Sequence, residues 1–294
     1  VNPSLIHAAE SVAIRHGIQP DRREILQDGH TLVVRITESL VARIVTDLNG
    51  PRQGTEWFTR ETAVAAHLTR HHGPVIPLHT AVSPIAHVED GYTMNFWQFV
   101  TATDEEPEAA AIGATLHQCH RILESCPIDL PPLAILHESM ALLDTLRNQN
   151  LFPPSTIALL HDHLERSIDV LTKVPHQPLH GDAHMGNLMM TTVGLLWTDW
   201  EDAFSGPVEW DLASIIWNAR LLDAEHAYAD SILSAYQSAG GTYSESTLQA
   251  CLIARAAVMS AWYPVLYPNP SPERSAKLQH RLEWLKYRAT TPPD

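Results

Sequence analysis

The sequence predicts an α+β chain of two lobes: a small N-terminal antiparallel β-sheet with one main helix over residues 1–100, then a larger, mostly helical lobe over 101–294. Short β-branched runs crowd the first hundred residues, and apolar residues at helical spacing dominate the rest. The 294 residues are 45% hydrophobic and 18% charged, a globular composition long enough to bury a sizeable core.

The runs HTLVVRI (30–36) and SLVARIV (39–45) read as strands of an antiparallel meander. EWFTRETAVAAHLTRH (56–71) reads as a helix whose Trp57, Glu61, Val64 and Leu68 share a face, which turns Glu61 inward. GYTMNFWQFV (91–100) alternates like another strand, so the expected early order is β, β, helix, β. The acidic DEEPE (104–108) leads into a helix at AAAIGATLHQCHRIL, where acidic residues suit a first turn. Further helices are expected at LHESMALLDTLRNQ and STIALLHDHLERSIDVLTKV, the latter with Ile157, Leu160, Leu164, Ile168 and Leu171 on one face. NLMMTTVGLLWTDW (187–200) reads as a short hairpin around a polar, Gly-containing turn. DLASIIWNARLL (211–222) is expected as a helix with Leu212, Ile215, Ile216 and Ala219 inward. The apolar ACLIARAAVMSAWYPVLY (250–267) is barely long enough for a membrane span, carries Arg255 and Pro264, and reads as a buried helix.

Chemistry concentrates in LHGDAHMGNLMM (179–190) and DWEDAFSGPVEWDLA (199–213). A hydroxyl attacking the γ-phosphate of ATP needs a carboxylate to orient it and accept its proton, plus hard oxygen ligands for magnesium. Asp182, Asn187 and Asp199 supply that set. The five-residue step from Asp182 to Asn187 is the spacing of base and metal-binding asparagine in kinase catalytic loops. A hairpin from 187 to 200 would bring Asn187 beside Asp199, a geometry for sharing a metal.

HGDAHMGN followed by WTDWEDAFSGPVEWDLA resembles the aminoglycoside phosphotransferase and choline kinase superfamily, small-molecule kinases of the two-lobed protein-kinase-like fold. The resemblance covers nearly the whole chain. It implies Asp182 as catalytic base, Asn187 and Asp199 as Mg2+ ligands, and ATP or GTP as phosphoryl donor. His180, His184 and Asp211 take structural roles, with His184 bracing the loop and Asp211 starting the next helix. The family pattern places a lysine on a small-lobe strand paired with a glutamate on the following helix. The only lysines here are Lys173, Lys277 and Lys286, so Arg43 stands at the lysine's place with Glu61 as its partner. Only Gly29 marks the phosphate-covering turn. Gln98, Phe99 and Val100 form the expected hinge, meeting the adenine through backbone groups. Glu201, Asp202, Asp104 and Glu105, with Glu106, are the expected acceptor-side carboxylates, and Trp200 and Trp217 a possible aromatic wall.

The net charge of −15 disfavours nucleic acid and anionic membranes and favours a cationic small molecule as partner. Cys119, Cys126 and Cys251 make no paired motif, and no signal peptide is visible, which together imply a cytoplasmic protein. The expected activity is therefore ATP- or GTP-dependent phosphorylation of a hydroxyl on a cationic acceptor, such as an aminoglycoside or peptide antibiotic. Metabolic acceptors such as choline, homoserine or a sugar fit the same machinery. A nucleotide-binding protein without turnover, and a transition-metal site at His180, Asp182 and His184, are the other readings.

Overall fold

A computed structural model describes residues 2–29, 31–47 and 54–290; His30, which opens the HTLVVRI run, lies outside them. The chain begins with helix α1 (Pro3–Arg15), then strands β1 (Glu24–Asp28), β2 (Thr31–Arg35) and β3 (Leu40–Val45), helix α2 (Glu56–Arg70), and strands β4 (His87–Glu89) and β5 (Tyr92–Gln98). The five strands form one antiparallel sheet in the order β1-β2-β3-β5-β4. The expected order β, β, helix, β is thus corrected by two additional early elements and a hairpin.

Helix α1 carries Leu5, Ala8, Ala9, Val12 and Ala13 on one buried stripe. Its start is locally encoded: Asn2 accepts the Ser4 N–H, and Pro3 occupies a first-turn position where its missing N–H costs nothing. Strand β1 is exposed along its whole length and so shows no alternation to read; it is held only as an edge strand on β2. Because side chains alternate across a strand, Leu32, Val34, Ala42, Ile44, Met94 and Phe96 face α1 and make a small core of their own. The residues between them, Val41, Arg43, Asn95 and Trp97, face the other way. Val41 and Trp97 join Val64 and Leu68 of α2 in the main core. Trp57, expected on that inner face, is only half-buried, and Phe58 takes the buried place.

The remainder is mostly helical, as the periodicity predicts. It comprises α3 (Ala109–Leu123), α4 (Ala134–Asn148), α5 (Pro154–Leu171), α6 (Glu209–Ile215), α7 (Trp217–Leu221), α8 (His226–Ser238), α9 (Glu245–Ala261), α10 (Tyr263–Leu266) and α11 (Pro272–Thr290). Between α5 and α6 run β6 (Gln177–Pro178), the hairpin β7 (Leu188–Thr191) and β8 (Gly194–Trp197), and β9 (Ser205–Gly206), which pairs with β6. The helix expected over 211–222 breaks at Ile216 into α6 and α7. Helix α9 is buried on most sides against α4, α5, α6 and α11, which explains a sequence apolar enough to suggest a membrane. Among the described residues no helix is long and apolar enough to cross one.

Two contacts tie the sheet to the hairpin. Residues 74–76 run beside β8, with Trp197 N–H donating to the Pro74 carbonyl and Ile76 N–H to that of Trp197. Beyond β5, Thr103 N–H donates to Met190 O and Thr192 N–H donates to Thr101 O. Helices α3 and α8 approach so closely at Gly113 that an added Cβ would lie 2.2 Å from the Ile232 carbonyl oxygen. Gly113→Ala is expected to cost about 1–3 kcal/mol through overpacking, in spite of alanine's better helix propensity. A lower denaturant midpoint with a native-like circular dichroism spectrum would show it.

Candidate active site

The segment after β6 makes a tight passage. Gly181 adopts φ +86°, and a Cβ there would sit 1.9 Å from the Asp202 carbonyl oxygen, so only glycine fits. The Asp211 carboxylate accepts the N–H groups of both His180 (2.9 Å) and Gly181 (3.0 Å), while Trp210 Nε1 donates to the Gly181 carbonyl at 2.6 Å. His120 Nε2 lies 3.0 Å from the same carboxylate, and its Nδ1 lies 2.9 Å from the Tyr236 hydroxyl. Burial, with Asp211 nearby, raises the Tyr236 phenol, so it stays protonated and donates. Asp211 does not start its helix: α6 begins at Glu209, and the Asp211 side chain is spent on the loop instead.

His180 is fully buried. Burial lowers its pKa, and the neutral ring has one consistent tautomer: Nδ1 accepts the Asp182 N–H at 3.3 Å, so Nε2 carries the proton it donates to the Thr198 carbonyl at 3.0 Å. With both ring nitrogens engaged, His180 has no lone pair for a metal. Among the described residues no group of three His, Cys, Asp or Glu could hold one, and the transition-metal reading falls.

Asp182 sits between two donors. Arg255 Nη2 reaches its Oδ1 at 2.5 Å, and His184 Nε2 its Oδ2 at 3.1 Å. The His184 Nδ1 accepts the Gly186 N–H, which leaves Nε2 as the donor to Asp182. Burial alone would raise the Asp182 carboxyl, but the Arg255 guanidinium and His184 outweigh it and hold it well below the ordinary carboxylate range. Asn187 Nδ2 donates to the Asp182 carbonyl at 2.9 Å, fixing the amide across the five-residue step.

The hairpin closes with Thr198 N–H donating to Asn187 O, and Asp199 follows in the left-handed region at φ +64°. This unusual backbone for a side-chain-bearing residue brings Asp199 back to the sheet. There Arg43 gathers three carboxylates: Glu61 at 2.7 Å, Asp199 at 2.9 Å and Glu201 at 2.8 Å. Asn95 Nδ2 donates a second bond to Glu61 at 2.6 Å and is itself held by Trp97 Nε1. Burial pushes the Glu61 and Asp199 carboxyls up against the pull of Arg43, and Glu201 adds to both shifts. One arginine does not balance this much negative charge.

These side chains line one cleft with two compartments, joined at Gln27, Thr31, Arg43 and Asp199. The smaller, about 240 Å³, lies between Val33, Val41, the segment Gln98–Phe99–Val100, Asn187 and Asp199. The larger, about 770 Å³, is lined by Asp182, His184, Asp199, Glu201, Asp202 and Arg255, with Gly29 at its edge. Asp199 lines both compartments, Asn187 the smaller and Asp182 the larger, and Asn187 Nδ2 lies 3.5 Å from the Asp182 carboxylate. Three expectations are corrected. Asp104, Glu105 and Glu106 are exposed and line neither compartment, because α3 starts only at Ala109 and leaves them on the surface. Trp200 is buried beneath the cleft, stacked on His180 at 4.3 Å, and Trp217 packs against the core, so neither forms a wall. Gln98 N–H and Phe99 N–H donate to Pro77 O and Ser39 O, which leaves Val100 N–H as the one of the three without an internal partner among the described residues.

Arg255, Trp57, Phe58 and Trp262 were not expected in the cleft. Arg255 had a signal, a lone cation inside an apolar helix, which is costly without a buried partner. The aromatic residues had none.

A five-stranded sheet over a helical lobe, with an Asp-Asn-Asp set at the cleft between them, defines a kinase-type phosphotransferase fold. The phosphotransferase enzyme family model matches residues 11–246, and the chain belongs to that family. Solved structures agree on the fold. An amicoumacin kinase in complex with AMP-PNP, Ca2+ and Ami is 13% identical with a TM-score of 0.74, covering 100% of this chain and 98% of that one. A choline/ethanolamine kinase family protein from Mesorhizobium loti is 17% identical at TM-score 0.61, over 92% and 89%. A thermostable mutant of aminoglycoside phosphotransferase APH(4)-Ia is 12% identical at TM-score 0.64, over 96% and 100%. No curated protein matches the chain significantly in sequence.

Arg43→Met leaves Glu61, 1% exposed, without its counter-charge. The expected loss is about 3–5 kcal/mol of stability. Chemical denaturation of Arg43→Met beside Arg43→Lys checks this, the lysine variant being expected to recover part of the loss.

Proposed function

We propose that the chain transfers the γ-phosphoryl group of a purine nucleoside triphosphate to a hydroxyl of a small molecule, with Asp182 as the base. The observation that carries this is that Asp182, Asn187 and Asp199 line two adjoining compartments of one cleft. In this reading the base lies between Val33, Val41 and the hinge, and meets the Val100 backbone. The triphosphate runs towards Arg43, with Gly29 at the covering turn.

Asn187 and Asp199 fit a magnesium ion. Both offer hard oxygens to the same compartment, and the carboxylates around Arg43 exceed the charge it can offset. Magnesium commonly takes one or two carboxylates and completes its shell with phosphate and water. Bound there, it would offset charge on the β- and γ-phosphates during transfer. The protein's own part is positional. His184 and Arg255 hold Asp182 ionised and oriented, Asn187 ties its carbonyl, and Asp211 anchors the turn before it. An acceptor hydroxyl reaching Asp182 from the larger compartment would be aligned towards the phosphorus and lose its proton to the carboxylate.

The acidic surface and the carboxylates Glu201 and Asp202 in the larger compartment favour an acceptor with some positive charge, an antibiotic among the candidates. Choline, homoserine or a sugar would be served by the same base. A nucleotide binder without turnover would suit an Arg43 so fully engaged, whereas an ionised Asp182 held by Arg255 and His184 in the larger compartment favours turnover.

Asp182→Asn tests the assignment. Phosphoryl transfer is expected to fall by about 10²–10⁴-fold, the usual contribution of a positioned base, with nucleotide binding retained by calorimetry. Unchanged turnover would remove Asp182 from that role. A thermal melt accompanies the assay, since the variant leaves Arg255 without its ionic partner.

A further inference from the structure

The larger compartment has two chemically unlike parts. Around Asp182 it is charged and carries more carboxylates than arginines: Asp47, Asp182, Asp199, Glu201 and Asp202 line it with Arg43, which holds Asp199 and Glu201, and Arg255, which holds Asp182 at 2.5 Å. The rest is apolar. Met259, Trp262 and Leu266 come from the corner between α9 and α10, and Trp57 and Phe58 from α2. At about 770 Å³ the space is also far larger than a choline-sized cation needs, and lies in the range that encloses a drug-sized molecule.

We infer that the acceptor is an amphipathic alcohol: a bulky apolar or aromatic body on the α9–α10 corner, a hydroxyl at Asp182, and no more than one or two amines. This deepens the phosphotransferase reading and rests on it. A polycationic sugar would press hydrated ammonium groups against the aliphatic side chains of Val265 and Leu266, which cannot replace the lost solvation. An apolar body instead gains by covering that wall. Arg255 thus holds Asp182 at the charged end, while the apolar lining sets the preference for the acceptor's body.

The test uses the full chain with Mg2+ and ATP or GTP, four acceptors, and mass-spectrometric detection of the phosphorylated product. Erythromycin is apolar with one amine, chloramphenicol is a neutral aryl diol, kanamycin is a polycationic sugar, and choline is a small cation. The expected result is transfer to erythromycin or chloramphenicol with kcat/KM at least tenfold above that for kanamycin and choline. Leu266→Glu is then expected to shift the ratio of kcat/KM between the amphipathic acceptor and kanamycin at least tenfold towards kanamycin. Preferential transfer to kanamycin or choline overturns the inference while the phosphotransferase reading stands, as does nucleotide binding with transfer to none of the four. Absence of both transfer and any nucleotide-induced thermal shift removes the phosphotransferase reading, and the inference with it.

Discussion

The cleft depends on one buried cation. Arg43 projects from the middle of β3 and holds Glu61 of α2, Asp199 at the end of the β7–β8 hairpin, and Glu201 just beyond it. Sheet, helix and hairpin therefore share a single charged junction. A buried carboxylate is tolerated only with a partner, and here three carboxylates share one guanidinium whose fork can reach several at once. A lysine's single ammonium would be a poorer match to that arrangement.

A second buried charge shapes the other half of the site. Asp211 takes two successive backbone N–H groups at the turn through Gly181, and His120 and Tyr236 extend the bonding into the helical lobe. The position of Asp182 is thus set by groups behind it rather than by its exposed neighbours. In front, Arg255 and His184 set its ionisation. The loop is held from one side and tuned from the other, which is the arrangement a positioned base requires.

Surface charge and pocket chemistry diverge in this chain. The net charge of −15 and the carboxylates of the larger compartment suit some positive charge on a partner, yet much of that compartment is lined by tryptophan, phenylalanine and aliphatic side chains. Long-range charge affects encounter, whereas the lining of an enclosed cavity decides which molecule can stay. The family relation settles the fold and the class of chemistry.

Much of this was legible before any coordinates. The loop that carries Asp182 and Asn187 and the hairpin that leads to Asp199 were readable because loop spacing and a short hairpin act locally, and α3, α4, α5 and the buried α9 followed from strong apolar periodicity. The Arg43–Glu61 pair was readable because an inward glutamate on a helix demands a cation. Helix α1 carried its own cap and stripe and could have been read, while β1 could not, since an edge strand exposed on both faces has no pattern. Asp104 and Glu105 looked like acceptor ligands only because charge in a sequence carries no direction. What tertiary structure alone decided was which distant groups meet: Arg255 on Asp182 across 73 positions, His120 on Asp211 across 91, and the α9–α10 corner facing α2. Local sequence determines backbone preference and periodicity over a few turns, but the company a buried charge keeps is set by packing between elements far apart in the chain.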